Sequence, residues 1–412
     1  AFNAVTGKGR MLLEERDSAW VNLHHILHFL ADGRFLWASE RDGFRHLYLY
    51  GSGAARQLTQ GEWEVVELNG VDESKGVGWI TTTKDSPLER QFYSVDLTTG
   101  AMARRTREPG THAVSFAPGG AFYVDSWQSE TSPLSQTLMD GAGLALALLR
   151  KAPASEYELL PVETLTFRGK DGTLFYGQVI KPKGFEPAKK YPAIVMVYGG
   201  PHGQTVNNKW AGVSWEQALA HRGYVIWRMD NRGSGFRGHA FEKGLHKQFG
   251  KVELADQIEG LEYLLRQGFV DSKRVGIYGW SYGGFMTLYA MTHGKAFAAG
   301  VAGAPVTDWR HYDTIYTERY MGLPARNEDG YKASSPVHAA GNLEGKLMLV
   351  HNFQDDNVLF QNSQNMMEAL QRAGKHFEMM FYPQKSHGVT GPLRLHMLET
   401  ITGFFDRTLP AN

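Results

Sequence analysis

The sequence predicts two parts: an all-β part of repeated short strands, then an α/β part built on a doubly wound, mostly parallel sheet. Three observations carry this. Short strand pairs beginning at Arg34, Gly78 and Ala121 recur every 43 to 44 residues. From Glu163 onward, continuous apolar runs alternate with helical stretches. A Gly-x-Ser-x-Gly pentapeptide, Gly279 to Gly283, sits between one such run and a helical stretch. The chain has 412 residues, and single cores stop growing near roughly 250 to 300, so two domains are expected.

In the first part, strands at 34–39, 78–83 and 121–126 are each followed by a second, at 46–50, 91–97 and 135–140. Turn signals separate them: Asp32-Gly33, Asp42-Gly43, Thr99-Gly100 and Pro118-Gly119-Gly120. A strand-rich repeat of this length matches a β-propeller blade. About three blades fit before residue 150, whereas propellers usually close with about four to eight. The expectation is therefore a partial propeller whose missing segment lies upstream of Ala1; the alternative is a free-standing three-sheet β domain.

In the second part, 164–167 and 174–180 flank Lys170-Asp171-Gly172, a hairpin signal. The runs 193–198, 224–229, 275–279, 298–302, 347–351 and 377–382 read as strands buried on both faces, with helices such as 252–267 and 360–373 between them. This alternation predicts a parallel sheet. The boundary falls near residue 157, giving domains 1–157 and 158–412.

Composition removes several function classes. Lys+Arg and Asp+Glu both total 43, and this zero net charge argues against nucleic acid as a partner. The absence of cysteine excludes disulfides, zinc–thiolate sites and cysteine nucleophiles. There is no His-Glu-x-x-His, no EF-hand loop and no phosphate-cradling G-x-x-x-x-G-K, so neither metal nor cofactor is expected. No apolar run approaches the ~20 residues of a membrane-spanning helix. The start, Ala1-Phe2-Asn3-Ala4, lacks an initiator Met and the pattern of a signal peptide, so a mature or partial chain is expected.

The pentapeptide carries the chemistry. A serine on a sharp strand-to-helix turn, flanked by glycines, is the nucleophile elbow of an α/β-hydrolase. That assigns Ser281 as nucleophile and aims the Tyr282 backbone N–H at developing negative charge. A serine hydroxyl needs a base to take its proton, and in this fold the chain order is serine, acid, histidine. Past the strand 347–351 come Asp355 and Asp356, between which spacing does not choose, and either of which could instead cap the helix near Phe360. Past the strand 377–382 comes His387. His351 and His396 are set aside because one lies in a strand and the other in a helical stretch. After the first parallel strand, Tyr198-Gly199-Gly200-Pro201-His202-Gly203 is placed to supply an oxyanion donor, or Tyr198 packs beside the elbow.

Several stretches resemble the prolyl oligopeptidase family of serine peptidases, in its dipeptidyl peptidase IV branch. They are Val197-Tyr198-Gly199-Gly200-Pro201, Asp230-Asn231-Arg232-Gly233-Ser234-Gly235, Gly279-Trp280-Ser281-Tyr282-Gly283-Gly284, the run from Tyr312 to Pro324, Asp355-Asp356-Asn357-Val358, and His387-Gly388. The likeness extends weakly into the β part at Gly61-Glu62-Trp63-Glu64-Val65. It implies a triad of Ser281, Asp355 and His387, and so chooses Asp355 over Asp356. It implies an oxyanion hole of the Tyr198 hydroxyl and the Tyr282 N–H. It implies a proline pocket walled by Val306, Trp309, Tyr312, Tyr316 and Val358, with Asn357 contacting a substrate carbonyl. Without the resemblance, Tyr312 and Tyr316, four apart on a helical stretch, read as a core-facing stripe.

The implied activity is release of X-Pro dipeptides from proline-containing peptides, in a homodimer outside the cytoplasm. The sequence also departs from the family. Dipeptide-releasing members hold the substrate's amino group with a glutamate pair in the propeller. The one such pair here, Glu14-Glu15, has unmatched surroundings and reads as an ordinary propeller pair. An acylaminoacyl peptidase or a prolyl endopeptidase is the alternative on this scaffold. A carboxylesterase or an inactive binding scaffold follows.

Overall fold

A computed structural model describes residues 1–51, 53–117, 120–153 and 155–411. The turn signal at Pro118-Gly119 lies outside the described residues. The chain divides into two compact units, one of residues 1–129, 134–151 and 236–240, the other of 130–133, 152–235 and 241–412.

The first unit contains three four-stranded antiparallel sheets, propeller-like in their succession. They are β1–β4 (Leu27–Phe29, Phe35–Ser39, His46–Tyr50, Arg56–Gln57), β5–β8 (Val65–Asp72, Val77–Thr82, Gln91–Asp96, Met102–Arg104) and β9–β12 (Thr111–Phe116, Phe122–Ser129, Ser132–Asp140, Ala145–Lys151). Side chains alternate across a strand, and the middle sheet uses both faces. Ile80, Tyr93 and Val95 join Leu36, Leu47 and Leu49 of the first sheet in one core. Trp79 and Phe92 turn the other way and meet Phe116 and Tyr123 of the third sheet, with Trp79 and Phe116 centred 4.8 Å apart. All seven residues of β12 are exposed.

The second unit is an eight-stranded sheet in the order β13-β14-β16-β15-β17-β18-β19-β20. Its strands are Val162–Arg168, Leu174–Ile180, Tyr191–Met196, Val225–Met229, Val270–Trp280, Ala299–Gly303, Lys346–Asn352 and Glu378–Tyr382, numbered in that sequence. β13, β14 and β16 pair antiparallel; from β16 to β20 every pairing is parallel. Helices α1–α8 are Trp215–His221, His239–Glu242, Lys251–Arg266, Tyr282–His293, Thr314–Met321, Glu328–Ala333, Gln361–Arg372 and Pro392–Thr408. No helix among the described residues is long and apolar enough to cross a membrane.

Helices cover both sheet faces. Leu219 and Ala220 of α1 and Phe404 and Phe405 of α8 pack on Ile194, Ile226, Val301 and Val350. On the other face, Tyr263 of α3 lies 6.4 Å from Trp227 of β16, and Met291 of α4 lies against Gly300 of β18. The chain runs from β15 to β16 on one side and then crosses back to β17 on the other. This reversal is where open α/β sheets place their sites, outside the carboxyl ends of the strands.

At Gly177 in β14 an added Cβ would stand 2.2 Å from the Trp227 ring, which fills that space. Gly177→Ala is therefore predicted to overpack the site and cost about 1–3 kcal/mol, read as a lower urea midpoint with an unchanged slope.

Candidate active site

β17 ends at Trp280 and α4 begins at Tyr282, so Ser281 alone makes the turn, at φ 61° and ψ −119°. This left-handed backbone disfavours side chains with a Cβ, and three neighbouring glycines make room for it. A Cβ on Gly279 would lie 2.3 Å from the Gly283 carbonyl oxygen; on Gly283, 2.2 Å from that of Val197; on Gly284, 2.2 Å from that of Gly303. The Ser281 N–H donates to the Gly303 carbonyl at 2.8 Å, tying the turn to β18. The Ser281 hydroxyl does not cap α4, and it carries no hydrogen bond within 3.5 Å among the described residues.

Three residues beyond β19, Asp355 is buried and accepts from His387, which follows β20 by five residues, with Nδ1 to Oδ2 at 2.8 Å. The other oxygen, Oδ1, accepts from the backbone N–H groups of Asn357 at 3.0 Å and Val358 at 2.9 Å. His351 adds a second imidazole, its Nε2 3.3 Å from Oδ2. Burial alone would raise the Asp355 pKa; the donations from His351 and His387 outweigh it and hold the carboxyl well below the usual carboxylate range. Asp356 is exposed and accepts from the Ser386 hydroxyl at 2.6 Å. Neither aspartate caps the following helix, whose N-cap is Phe360 with no side-chain bond. Trp280 Nε1 donates to the His387 carbonyl at 2.9 Å, so the histidine loop is fastened to the residue before Ser281.

Tyr198 lies two residues past β15, over a glycine-rich turn that leaves space for its ring. A Cβ on Gly200 or Gly203 would come within 2.9 Å and 2.6 Å of that ring. Burial raises the pKa of its phenol, keeping the hydroxyl a donor. Its ring is centred 6.1 Å from that of Tyr282. The turn is held from behind: Asn231 Nδ2 donates to the Gly199 carbonyl at 3.1 Å, and Gln257 of α3 donates to Asn231 Oδ1 at 2.9 Å.

Among the expected pocket residues, Trp309 is buried and centred 5.3 Å from Tyr282, 5.9 Å from Tyr312 and 6.4 Å from Tyr316. Tyr312 and Tyr316 meet edge to face at 5.3 Å. The structure corrects their helical spacing. Tyr316 is in α5, but Tyr312 precedes it on extended backbone, φ −123° and ψ 168°, after the short turn at Trp309–His311. The Tyr312 hydroxyl donates to Asn357 Oδ1 at 2.6 Å. Val306 and Val358 are buried, and Asn357 is exposed. A separate cavity of about 640 Å³ opens beside this group, sharing only Tyr312 and Asn357 with it and otherwise lined by His311, Asp313, Thr314, Asp356, Leu359 and Gln361.

Two residues set aside or passed over in the sequence belong to this constellation. His351 is one. The other is Glu253, buried in the first turn of α3. Its Oε1 accepts from the Tyr282 hydroxyl at 2.7 Å and the Gly250 N–H at 2.9 Å, while Oε2 has no partner. The signal was there in part: Glu253, Asp256, Gln257 and Gly260 put polar and small residues on the buried face of α3. Burial pushes the Glu253 carboxyl up to about 7.

Strand order and elbow together define an α/β-hydrolase, with a serine, a histidine and a buried carboxylate at one end of its sheet. Residues 211–411 match the model of the prolyl oligopeptidase family, and residues 1–134 that of the dipeptidyl peptidase IV N-terminal region. Human dipeptidyl peptidase 8 is 35% identical across 94% of the chain and 50% of its own length. Dipeptidyl-aminopeptidase B of Aspergillus niger is 34% identical across 90% of the chain and 44% of its own length. The crystal structure of Porphyromonas gingivalis dipeptidyl peptidase 4 superposes with a TM-score of 0.89 at 35% identity, covering 93% of this chain and 56% of that one. The chain belongs to the prolyl oligopeptidase family, as its motifs suggested, and it spans about half the length of the curated relatives it matches.

The Glu253 carboxyl titrates at about 7 in the fold against 4.5 for a free glutamate. The folded chain holds this proton more tightly than the unfolded one. The stability so gained is full below the free value and is lost as pH rises through the folded value. Glu253→Gln, which cannot ionise, is predicted to gain on the wild type by about 1–3 kcal/mol between pH 5 and 8, measured as the difference in urea midpoints at the two pH values.

Proposed function

We propose that the chain is the catalytic part of a serine peptidase that hydrolyses peptides after proline and releases amino-terminal dipeptides. The observation that carries the chemistry is the His387–Asp355 bond of 2.8 Å, fastened through Trp280 to a serine in the elbow conformation. The dipeptide and proline preferences are supported by the names of the relatives and by the aromatic group.

In this reading, Asp355 holds the proton of His387 on Nδ1 and leaves Nε2 to take the proton of Ser281 as Oγ attacks the scissile carbonyl. The Tyr198 hydroxyl and Tyr282 N–H stabilise the oxyanion. His387 then protonates the leaving amine, and water releases the acyl group by the reverse sequence. Hydroxyl–imidazole pairs are often loose before substrate closes them, which suits a Ser281 hydroxyl without a partner. Trp309, Tyr312 and Tyr316 offer flat apolar walls to a pyrrolidine ring, with Val306 and Val358 as aliphatic sides. Because the Tyr312 hydroxyl occupies Asn357 Oδ1, the amide nitrogen is left to donate to a substrate carbonyl.

An endopeptidase or acylaminoacyl peptidase is the second reading, favoured by one observation. Glu14 pairs with Arg16, and Glu15 accepts from Trp37, Ser39 and Arg41, so this glutamate pair is already engaged within its own unit. By resemblance alone we also propose a homodimer outside the cytoplasm, fed by propeller blades upstream of Ala1; sedimentation of the purified protein reads the dimer.

Ser281→Ala is predicted to abolish covalent labelling by a fluorophosphonate without changing the circular dichroism. A folded wild-type chain left unlabelled would favour the inactive scaffold. Tyr198→Phe is predicted to lower kcat by about 10²–10³-fold with KM little changed. A Gly-Pro amide with a free amino terminus is predicted to be cleaved faster than its N-blocked analogue; equal rates would remove the dipeptide-releasing reading.

A further inference from the structure

We propose that His351 is a positioning residue of the reaction: a second imidazole, set beside the Asp355 carboxylate that His387 also engages, which moderates the charge His387 feels. The proposal rests on the Ser281–His387–Asp355 reading above.

His351 lies in β19, four residues before Asp355, and is fully buried. Both its ring nitrogens are engaged. Nε2 lies 2.9 Å from the Val358 carbonyl oxygen and 3.3 Å from Asp355 Oδ2; Nδ1 lies 2.7 Å from the Ser363 hydroxyl. A carbonyl and a carboxylate only accept, so the proton is on Nε2. The bare Nδ1 then accepts from Ser363, which fixes the tautomer from the other side. Phe360 stands edge-on against the ring at 5.5 Å and brings no charge.

Asp355 therefore accepts from His387 on Oδ2 and from the N–H groups of Asn357 and Val358 on Oδ1, while the His351 Nε2–H, donated to the Val358 carbonyl, lies beside Oδ2 at 3.3 Å. Every donor draws off negative charge that would otherwise stabilise the imidazolium of His387. His351 also bridges Asp355 to the Val358 carbonyl, so it clamps the turn that joins the acid to the pocket wall. Also on this side are Tyr312, which interacts electrostatically with both Asp313 and Asp355, and Asp356, held by Ser386. A purely structural His351 would leave the pH dependence of Ser281 reactivity where it is; an N–H dipole beside the Asp355 carboxylate would not.

The test is the rate of fluorophosphonate labelling of Ser281 against pH in the 412-residue chain, whose acid limb reports protonation of the base. His351→Leu removes the donor and is expected to move that limb upward by about 0.5–1 pH unit. His351→Gln, with an amide nitrogen in reach of the Nε2 position, is expected to bring it back to the wild-type value. Where the Leu variant does not fold, Ser363→Ala releases the tautomer and is expected to give a smaller shift in the same direction. A folded Leu variant, or Ser363→Ala in its place, with its limb at the wild-type pH overturns the proposal, as does a Gln variant displaced as far as Leu. A wild type that labels at no pH removes the triad reading and this proposal together, an outcome distinct from unshifted labelling.

Discussion

Everything at this site is arranged around a single residue with a side chain standing in backbone territory that suits glycine. Ser281 can hold φ 61° only because Gly279, Gly283 and Gly284 surrender the volume of their missing Cβ atoms to three carbonyl groups. Those carbonyls belong to Gly283 itself, to Val197 just before Tyr198, and to Gly303 at the end of β18. The close approaches draw the Tyr198 turn, the elbow and the neighbouring strand into one steric unit. The spacing between the Ser281 and Tyr198 turns is thereby set by backbone contact, which varies less than side-chain rotamers do.

Behind this unit lies a polar scaffold. α3 presents Glu253 to the Tyr282 hydroxyl, Asp256 Oδ1 to Nη2 and Nε of Arg232, which donate at 2.6 and 3.1 Å, and Gln257 to Asn231, which in turn holds Gly199. Buried polar groups are costly unless paired, so such a network has one low-energy arrangement and resists others. The unpartnered Oε2 of Glu253 is tolerated because burial favours its protonated form. The turn of Tyr198 and the Tyr282 hydroxyl are thus both tied back to α3.

Sequence reading reached the parts governed by period and by backbone sterics. Apolar runs gave β16, β18 and β19 within a residue or two, turn signals and the repeat interval gave the strand pairs of the first unit, and the glycine pattern gave the elbow. It failed where the cause lies elsewhere. β17 starts at Val270 and runs through Asp271-Ser272-Lys273, a polar stretch that no hydrophobic pattern marks as a strand. Tyr312 and Tyr316 are four apart, yet Asp313 caps α5 through the Tyr316 N–H and so starts the helix after Tyr312. His351 looked like a strand residue because it is one; its partner arrives from a turn closed only in three dimensions. Asp355 and Asp356 are equivalent in spacing, and only the fold shows one turned inward to two imidazoles and the other outward to a serine.

The three sheets of the first unit end differently at their outer margins. β4 and β8 are two and three residues long, too short to template much, whereas β12 runs for seven residues with Leu146, Leu148 and Leu149 uncovered and with β11 on one side only. An unprotected, leucine-bearing margin of that length invites ladder formation with another chain. This margin is thus the place where two copies would pair most readily, and a lysine among those leucines would oppose that pairing.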